Sequence, residues 1–273
     1  LIIPDFVTKI ENSVFKDCSG FSGSLNLPKN TTSIGSEAFS HCSGFCSSLI
    51  IPSSVKSIGE NAFYFCQGLH GSLVIPNITE ISRYTFYYCS GLDGTLTIPS
   101  TVNKIYEFAF SECNRLKGQL ILPESIEVID DKAFQNCSSF TGSLVIPTKV
   151  QFIRSYSFSN CYGFNGYLVI PSNVMSIDIC AFENCANLKG NLTIPDSVNN
   201  IGISAFSNCK GFDGSLILSS KLTIIKSGTF CNCSKLNGNL VIPKDVLIIE
   251  SYSFYNCHSF EGSLNITVNV KIK

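Results

Sequence analysis

Cysteine is the residue type whose number and spacing could do chemistry here, because fourteen cysteines in 273 residues could form disulfides or hold metal ions. Eleven of them stand three residues after a phenylalanine. These groups recur every 24 residues, apart from one interval of 23 between Phe63 and Phe86. The groups are Phe15–Cys18, Phe39–Cys42, Phe63–Cys66, Phe86–Cys89, Phe110–Cys113, Phe134–Cys137, Phe158–Cys161, Phe182–Cys185, Phe206–Cys209, Phe230–Cys233 and Phe254–Cys257. A fixed period of this size is typical of a solenoid, in which each unit buries its apolar face against its neighbours.

Stacking of the repeats argues against disulfides within this series. In a parallel, in-register stack, successive cysteines point the same way with Cβ atoms about 4.8 Å apart, whereas a disulfide needs about 3.8 Å and a particular torsion. An odd-numbered series would also leave one cysteine unpaired. We therefore interpret the eleven as buried thiols beside the phenylalanines. The predicted core residues include Phe39, Cys42, Phe63, Cys66, Phe134, Cys137, Phe158 and Cys161.

The remaining cysteines and the histidines predict neither a metal site nor a catalytic one. Cys231 and Cys233 form only a C-x-C, which has no second pair at metal-ligand spacing. The other cysteines outside the series are Cys46 and Cys180. The histidines, in the turn regions of separate repeats, are His41, His70 and His258. No serine or cysteine is singled out from its repeat-mates as a nucleophile with a base beside it, so we predict no enzyme activity and no cofactor.

Charge and hydropathy restrict the partners further. Nineteen Lys and Arg residues are scattered among twenty Asp and Glu, for a net charge of -1, which argues against nucleic acid as a ligand. No segment approaches the ~20 apolar residues that span a bilayer, so we expect no membrane insertion by this segment. At 44% hydrophobic and 14% charged, the chain can bury a continuous core.

The elements that position the cysteines follow from the rest of the period. Each unit reads approximately G-x-L-x-I-P-x-x-V-x-x-I-x-x-x-A-F-x-x-C-x-x-L. The alternation around Leu73 and Ile75 predicts one parallel β-strand per coil, and the V-x-x-I step predicts a second, shorter strand. The A-F-x-x-C segment predicts a helical turn that points Phe and Cys into the core together. The glycines, ten at the eighth position after Phe and six at the fifth, are expected to be turn formers that require positive φ.

The two ends of the chain depart from the regular repeat. Leu1 enters at the tenth position of a unit, so we expect the chain to be a fragment of a longer protein, without its targeting segment. Repeats continue to about residue 266. Residues 264–273 abandon the I-P step for strict alternation, which predicts a longer terminal strand that covers the last coil. We expect residues 1–273 to form a single repeat domain of about eleven coils.

This pattern resembles the BspA-like branch of the leucine-rich repeat family. Gly142-Ser143-Leu144-Val145-Ile146-Pro147, followed by Val150, Ile153, Phe158 and Cys161, shows the family's I-P, V-x-x-I, F and C marks in order, with Ser157 in place of the usual Ala. The resemblance implies a leucine-rich repeat solenoid, and a surface or secreted location. Family members are typically proteins of bacteria and protozoan parasites that attach to host matrix, host cells or one another.

One row of strand residues is the candidate ligand-binding surface. If Leu and Ile at the tenth and twelfth positions face the core, the eleventh position faces solvent. Strand propensity alone could explain its β-branched residues, and a recognition surface could explain them equally. The candidates are Ile50, Val74, Thr97, Ile121, Val145, Val169, Thr193, Ile217 and Val241.

Taken together, the residues and the resemblance predict a non-catalytic adhesion or binding module at a cell surface. The expected partner is a host matrix or cell-surface protein, or a glycan. The alternative is a structural rod that associates with itself in a coat or filament.

Overall fold

The structure is a computed structural model that describes residues 1–262, 264, 266 and 270–272. The chain divides into two compact units, Leu1–Phe140 and Thr141–Lys273. Each unit is a parallel β-solenoid whose coils are about 24 residues long, since neighbouring strands such as Lys9–Ile10 and Ser33–Ile34 join residues 23 or 24 apart in register. The predicted fold class is confirmed.

The V-x-x-I step forms a two-residue strand in successive coils, and its isoleucine points into the core, as at Ile34 and Ile58. In the first unit these strands are Lys9–Ile10, Ser33–Ile34, Ser57–Ile58, Glu80–Ile81, Lys104–Ile105 and Val128–Ile129. In the second unit they are Phe152–Ile153, Ser176–Ile177, Asn200–Ile201, Ile224–Ile225, Ile248–Ile249 and Lys271–Ile272. They pair in parallel sheets of three strands.

The G-x-L-x-I segment forms shorter and less continuous strands than the sequence predicts. They are Leu73–Val74, Leu96–Thr97 and Gly118–Gln119 in the first unit, and Leu144–Val145, Leu168–Val169, Leu192–Thr193 and Leu216–Ile217 in the second; Phe140–Thr141 lies where the units meet in sequence. Elsewhere the segment makes isolated bridges, such as Ser48 with His70. The Pro that follows most of these segments cannot donate an N–H, which ends the ladder.

The predicted helical turn at A-F-x-x-C is wrong, and consecutive β-turns take its place. In the second coil, Ser40 N donates to Glu37 O at 3.0 Å and Cys42 N to Phe39 O at 3.1 Å. Glu37 and His41 have φ of 56° and 61°, which interrupts a right-handed helix.

Hydrogen bonds to the next coil explain this backbone. The N–H groups of Glu37, Phe39 and His41 point along the stack and donate to carbonyl oxygens 23 residues further on, at 2.7 to 2.8 Å. A helical turn would point these groups along its own axis instead. The turn still buries Phe and Cys together, as the sequence predicts.

This repeat requires glycine for two different structural reasons. Gly71, at the eighth position, has φ of 82°, in the region that favours glycine. Gly68, at the fifth position, does not adopt positive φ, so the prediction for that position is wrong. A Cβ there would lie 2.2 Å from the backbone oxygen of Phe45 in the preceding coil, so close approach of two coils is what requires glycine.

The core of each unit is built from stacked rings and thiols. Successive phenylalanines from Phe15 to Phe134 lie with ring centroids 5.3 to 5.6 Å apart and nearly parallel, and those from Phe158 to Phe254 lie 5.3 to 5.8 Å apart. The predicted core residues Phe39, Cys42, Phe63, Cys66, Phe134, Cys137, Phe158 and Cys161 are all at most 1% exposed. Cys66 Sγ donates to Phe39 O of the preceding coil at 3.0 Å, which gives each thiol a partner.

The C-terminal segment is described only in part. Lys271–Ile272 pairs with Ile248–Ile249, so it lies at the V-x-x-I strand position of a further coil. The predicted terminal strand over 264–273 otherwise includes residues 265, 267–269 and 273, which lie outside the described residues.

We expect Phe63→Ala to lower the free energy of unfolding by about 3–5 kcal/mol, because the ring is fully buried between Phe39 and Phe86 and its removal leaves a cavity. Urea unfolding followed by circular dichroism measures the loss. Phe152→Ala is the matched control: that ring is 37% exposed, and its loss should cost less than about 1 kcal/mol. Equal costs for the two variants would contradict the role assigned to the ring stack.

Candidate functional site: the strand face

We call the row of eleventh-position side chains the strand stripe. It consists of Ile50, Val74, Thr97 and Ile121 in the first unit and of Val145, Val169, Thr193, Ile217 and Val241 in the second. All nine are exposed, and the seven isoleucines and valines range from 43% exposed at Val145 to 73% at Ile50.

Strand geometry explains why these side chains face solvent. Successive residues of a strand point to opposite faces. Leu73 and Ile75, on either side of Val74, are 0% and 2% exposed, so Val74 must point outward. Because the strands pair in register, side chains of the stripe lie beside one another: Val74 lies beside Thr97, Val145 beside Val169, and Thr193 beside Ile217. Within each unit the strand stripe is a row of uncharged side chains.

The polar row two residues before the stripe has a structural task. Ser72 Oγ accepts from the N–H of Thr95 at 3.0 Å, and Ser143 Oγ accepts from the N–H of Tyr167 at 3.0 Å. Asn191 Oδ1 accepts in the same way from the N–H of Ser215 at 2.9 Å. These oxygens satisfy backbone groups of the next coil, so they contribute to the stacking of the coils.

The turn before the strand carries the nearest charges. Asp93 accepts a hydrogen bond from the N–H of Gly71 at 2.9 Å and forms an ion pair with Arg115 at 3.3 Å. The hydrogen bond from Gly71, together with the charges of Arg115 and Lys117, lowers the pKa of Asp93. These charges hold the turn together at the edge of the strand face.

The cysteine series provides no reactive centre. All fourteen cysteines are thiols rather than disulfides. Burial raises the pKa of Cys42 to about 11 and that of Cys113 to about 12. Since the thiolate is the nucleophile and the metal ligand, these groups stay protonated and unreactive near neutral pH.

The hydrogen bonds of two histidines involve a backbone carbonyl and a side-chain amide. His70 Nε2 lies 3.1 Å from the backbone oxygen of Cys46, and His258 Nδ1 lies 3.4 Å from Asn256 Oδ1. Among the residues that the structure describes, no three His, Cys, Asp or Glu side chains gather as they would around a metal ion. The same residues include no helix of the length and apolarity that crossing a bilayer takes.

Sequence reasoning missed an aromatic feature on the turns of the first unit. Tyr64 and Phe65 in one coil contact Tyr87 and Tyr88 in the next, with ring centroids 4.7 to 5.6 Å apart. The sequence does contain a signal for this feature, because two pairs of adjacent aromatic residues stand one repeat apart. A consensus read across all coils hides it, since Ser and Asn are the commonest residues at these two positions.

Comparison with known families identifies the repeat. The sequence pattern of the BspA type leucine rich repeat region matches in six copies, over residues 1–117, 43–165, 79–212 and 164–272. These matches cover nearly the whole chain. Comparison with curated protein sequences gives no match.

Solved structures share the fold. A leucine rich cell surface protein from Faecalibacterium prausnitzii is 28% identical, with a TM-score of 0.59 over 96% of this chain and 78% of its own. A leucine-rich repeat protein from Bacteroides ovatus is 22% identical, with a TM-score of 0.61 over 95% and 76%. One from Eubacterium ventriosum is 20% identical, with a TM-score of 0.62 over 94% and 69%. The last two similarities concern the fold alone.

We expect a thiol reagent at about pH 8 to label about one cysteine rapidly in the native protein, because Cys46 is the exposed one while burial keeps the core thiols protonated. Absorbance stopped-flow with Ellman's reagent measures the phases. Cys46→Ser should remove the fast phase and leave the slow one unchanged. Rapid labelling of most cysteines, or an intact mass that shows several disulfides, would contradict the buried-thiol interpretation.

Proposed function

The chain belongs to the BspA-type leucine-rich repeat family, and on that premise we propose that it is a non-catalytic adhesion module of a surface or secreted protein. It binds a host matrix or cell-surface protein, or a glycan, through the strand stripe. The observation that carries this proposal is the row of exposed Ile and Val side chains on the strand face. The name of the F. prausnitzii relative, a cell surface protein, supports the location.

The strand stripe has the physical properties of an interaction surface. Burial of apolar area is favourable by about 25 cal/mol per Å². β-Branched side chains on a strand are restricted at χ1, so they lose little rotamer freedom when a ligand covers them. The row bears no charged side chain, so no charge has to be desolvated when a partner covers it. An exposed apolar strip of this kind commonly marks a binding site.

The alternative function is a structural rod that associates with itself. The same uncharged stripe favours it, because the stripe lacks the charges that usually keep strand faces of two copies apart. Sedimentation equilibrium distinguishes the two functions. A binding module stays monomeric as its concentration rises, whereas a structural rod forms larger species.

We expect the triple variant Val145→Lys, Val169→Lys and Ile217→Lys to lose ligand binding by at least about tenfold, because an apolar partner must then desolvate three ammonium groups. A screen of the unmodified chain against immobilised matrix proteins and a glycan array supplies the ligand. Surface plasmon resonance then measures the affinity of each variant.

The control carries Thr at the same three positions, because Thr97 and Thr193 already occupy equivalent ones. It should fold as the unmodified chain does, and it separates the effect of charge from that of side-chain loss. A lysine variant that keeps its thermal midpoint and binds with unchanged affinity would reduce the stripe to a consequence of strand propensity.

A further inference from the structure

The turns of the first unit carry a group of aromatic side chains that the strand stripe does not involve. We call it the turn-face aromatic cluster: His41, Tyr64, Phe65, Tyr84, Tyr87, Tyr88 and Phe108. Its rings form short stacks along the coils. Phe65 stacks on His41 at 5.2 Å and on Tyr88 at 4.7 Å. Tyr64 stacks on Tyr87 at 5.2 Å, and Tyr84 stacks on Phe108 at 4.6 Å.

The backbone beneath the cluster does not favour aromatic residues. Phe65, Tyr84, Tyr88 and Phe108 have φ between 55° and 59°, a left-handed conformation that is rare for bulky residues. In the second unit, the position equivalent to Phe65 and Tyr88 is always Asn, at residues 160, 184, 208, 232 and 256. Asn tolerates this conformation best among the residues with a side chain.

Asparagine also stacks well at this position. Asn184 Nδ2 donates to Asn160 Oδ1 at 2.6 Å, and Asn232 Nδ2 donates to Asn208 Oδ1 at 2.8 Å. The repeat thus has a strain-free solution that the coils of Phe65 and Tyr88 do not use. The strain of a bulky left-handed residue is as large as the gain from one ring pair, and Tyr156 and Tyr252 bear it outside the cluster as well, so what distinguishes the cluster is that four such residues stand together. Strain of this kind concentrates at functional sites.

The tyrosines of the cluster, Tyr64, Tyr84, Tyr87 and Tyr88, are half-buried. Among the described residues, none forms a hydrogen bond with their hydroxyls. Burial, reinforced by the charge of Glu107, raises the pKa of Tyr84, and burial with the charge of Glu112 raises the pKa of Tyr87. These hydroxyls are therefore neutral donors that a ligand can use.

The charge around the cluster is negative. The turn residues 36–41, 60–65, 83–88 and 107–112 contain Glu37, Glu60, Glu107 and Glu112 against Arg83 and His41. Glu37 is already ion-paired with Lys16 at 2.9 Å, which leaves Glu60, Glu107 and Glu112 for a ligand. A cation already stands at the edge of the cluster, because Lys132 Nζ lies 4.6 Å from the ring centroid of Phe108. Aromatic rings and carboxylates together attract cationic groups.

We propose that the turn-face aromatic cluster is a second binding surface, which takes a polypeptide segment that carries Lys or Arg side chains. Backbone carbonyls of that segment accept hydrogen bonds from the tyrosine hydroxyls, and its cations lie beside Glu60, Glu107 and Glu112. Tyrosine and arginine are the residues that dominate binding energy at protein interfaces. A polyanion would be repelled by the carboxylates.

The probe for this surface is a fluorescein-labelled octa-arginine peptide, measured by fluorescence anisotropy. The double variant Tyr87→Ser with Tyr88→Asn should bind it at least about tenfold more weakly. The variant should fold normally, because Ser111 and Asn136 occupy the same positions in neighbouring coils. The matched control is Tyr255→Ser, the same substitution at the same repeat position outside the cluster, and it should bind with unchanged affinity.

Removal of a carboxylate tests the proposal independently of the tyrosines. Glu107→Gln should weaken octa-arginine binding several-fold and reduce its dependence on salt, because one carboxylate near the cations is neutralised. The threonine variant of the strand stripe should bind octa-arginine as the unmodified chain does, since the two surfaces are separate.

Three results would overturn the proposal. The first is unchanged octa-arginine affinity in the double variant. The second is binding of octa-glutamate as tight as that of octa-arginine. The third is failure of the unmodified chain to bind octa-arginine while it binds a glycan that the double variant loses, which would assign the cluster to a sugar instead.

Discussion

The fold depends on one constraint: within each unit, every residue of a coil lies beside its own counterpart in the next coil. A residue type can recur at a position only if it packs well against itself. Phenylalanine does so as a ring stack, and a thiol does so because its Sγ donates to the carbonyl of the preceding coil. Charged groups at this spacing would repel one another, which is consistent with only 14% charged residues in the chain.

Stacking also decides the backbone of the turns. The N–H groups of Glu37, Phe39 and His41 donate to the next coil, and this requirement imposes positive φ at Glu37 and His41 whatever their side chains. The equivalent positions hold many residue types in other coils, with Gly only at residue 228. Glycine therefore does not mark most of the left-handed residues in the sequence. It does mark Gly68, where the reason is close approach to Phe45 rather than φ.

Features that all coils share could be predicted from the repeat, whereas features confined to single coils could not. The consensus predicts burial of Phe63 and Cys66 and exposure of Val74, because alternation and stacking follow from the spacing alone. It predicts a helical turn wrongly, because an i to i+3 relation between Phe and Cys fits both a helical turn and a pair of β-turns. The turn-face aromatic cluster arises from departures such as Tyr64 and Tyr87, which averaging over the coils removes.

The two proposed surfaces differ in what they can specify. Because the strand stripe repeats the same kind of side chain, a ligand displaced by one coil, about 4.8 Å, meets nearly the same surface. Such a stripe provides contact area but little information about position. The aromatic cluster exists in one set of coils, so a partner that contacts it has one register. Val74 and Thr97 of the stripe belong to the same coils as Tyr64 and Tyr87. A single partner that contacted both surfaces would bury apolar area on the strand stripe, and the aromatic cluster would fix its position along the coils.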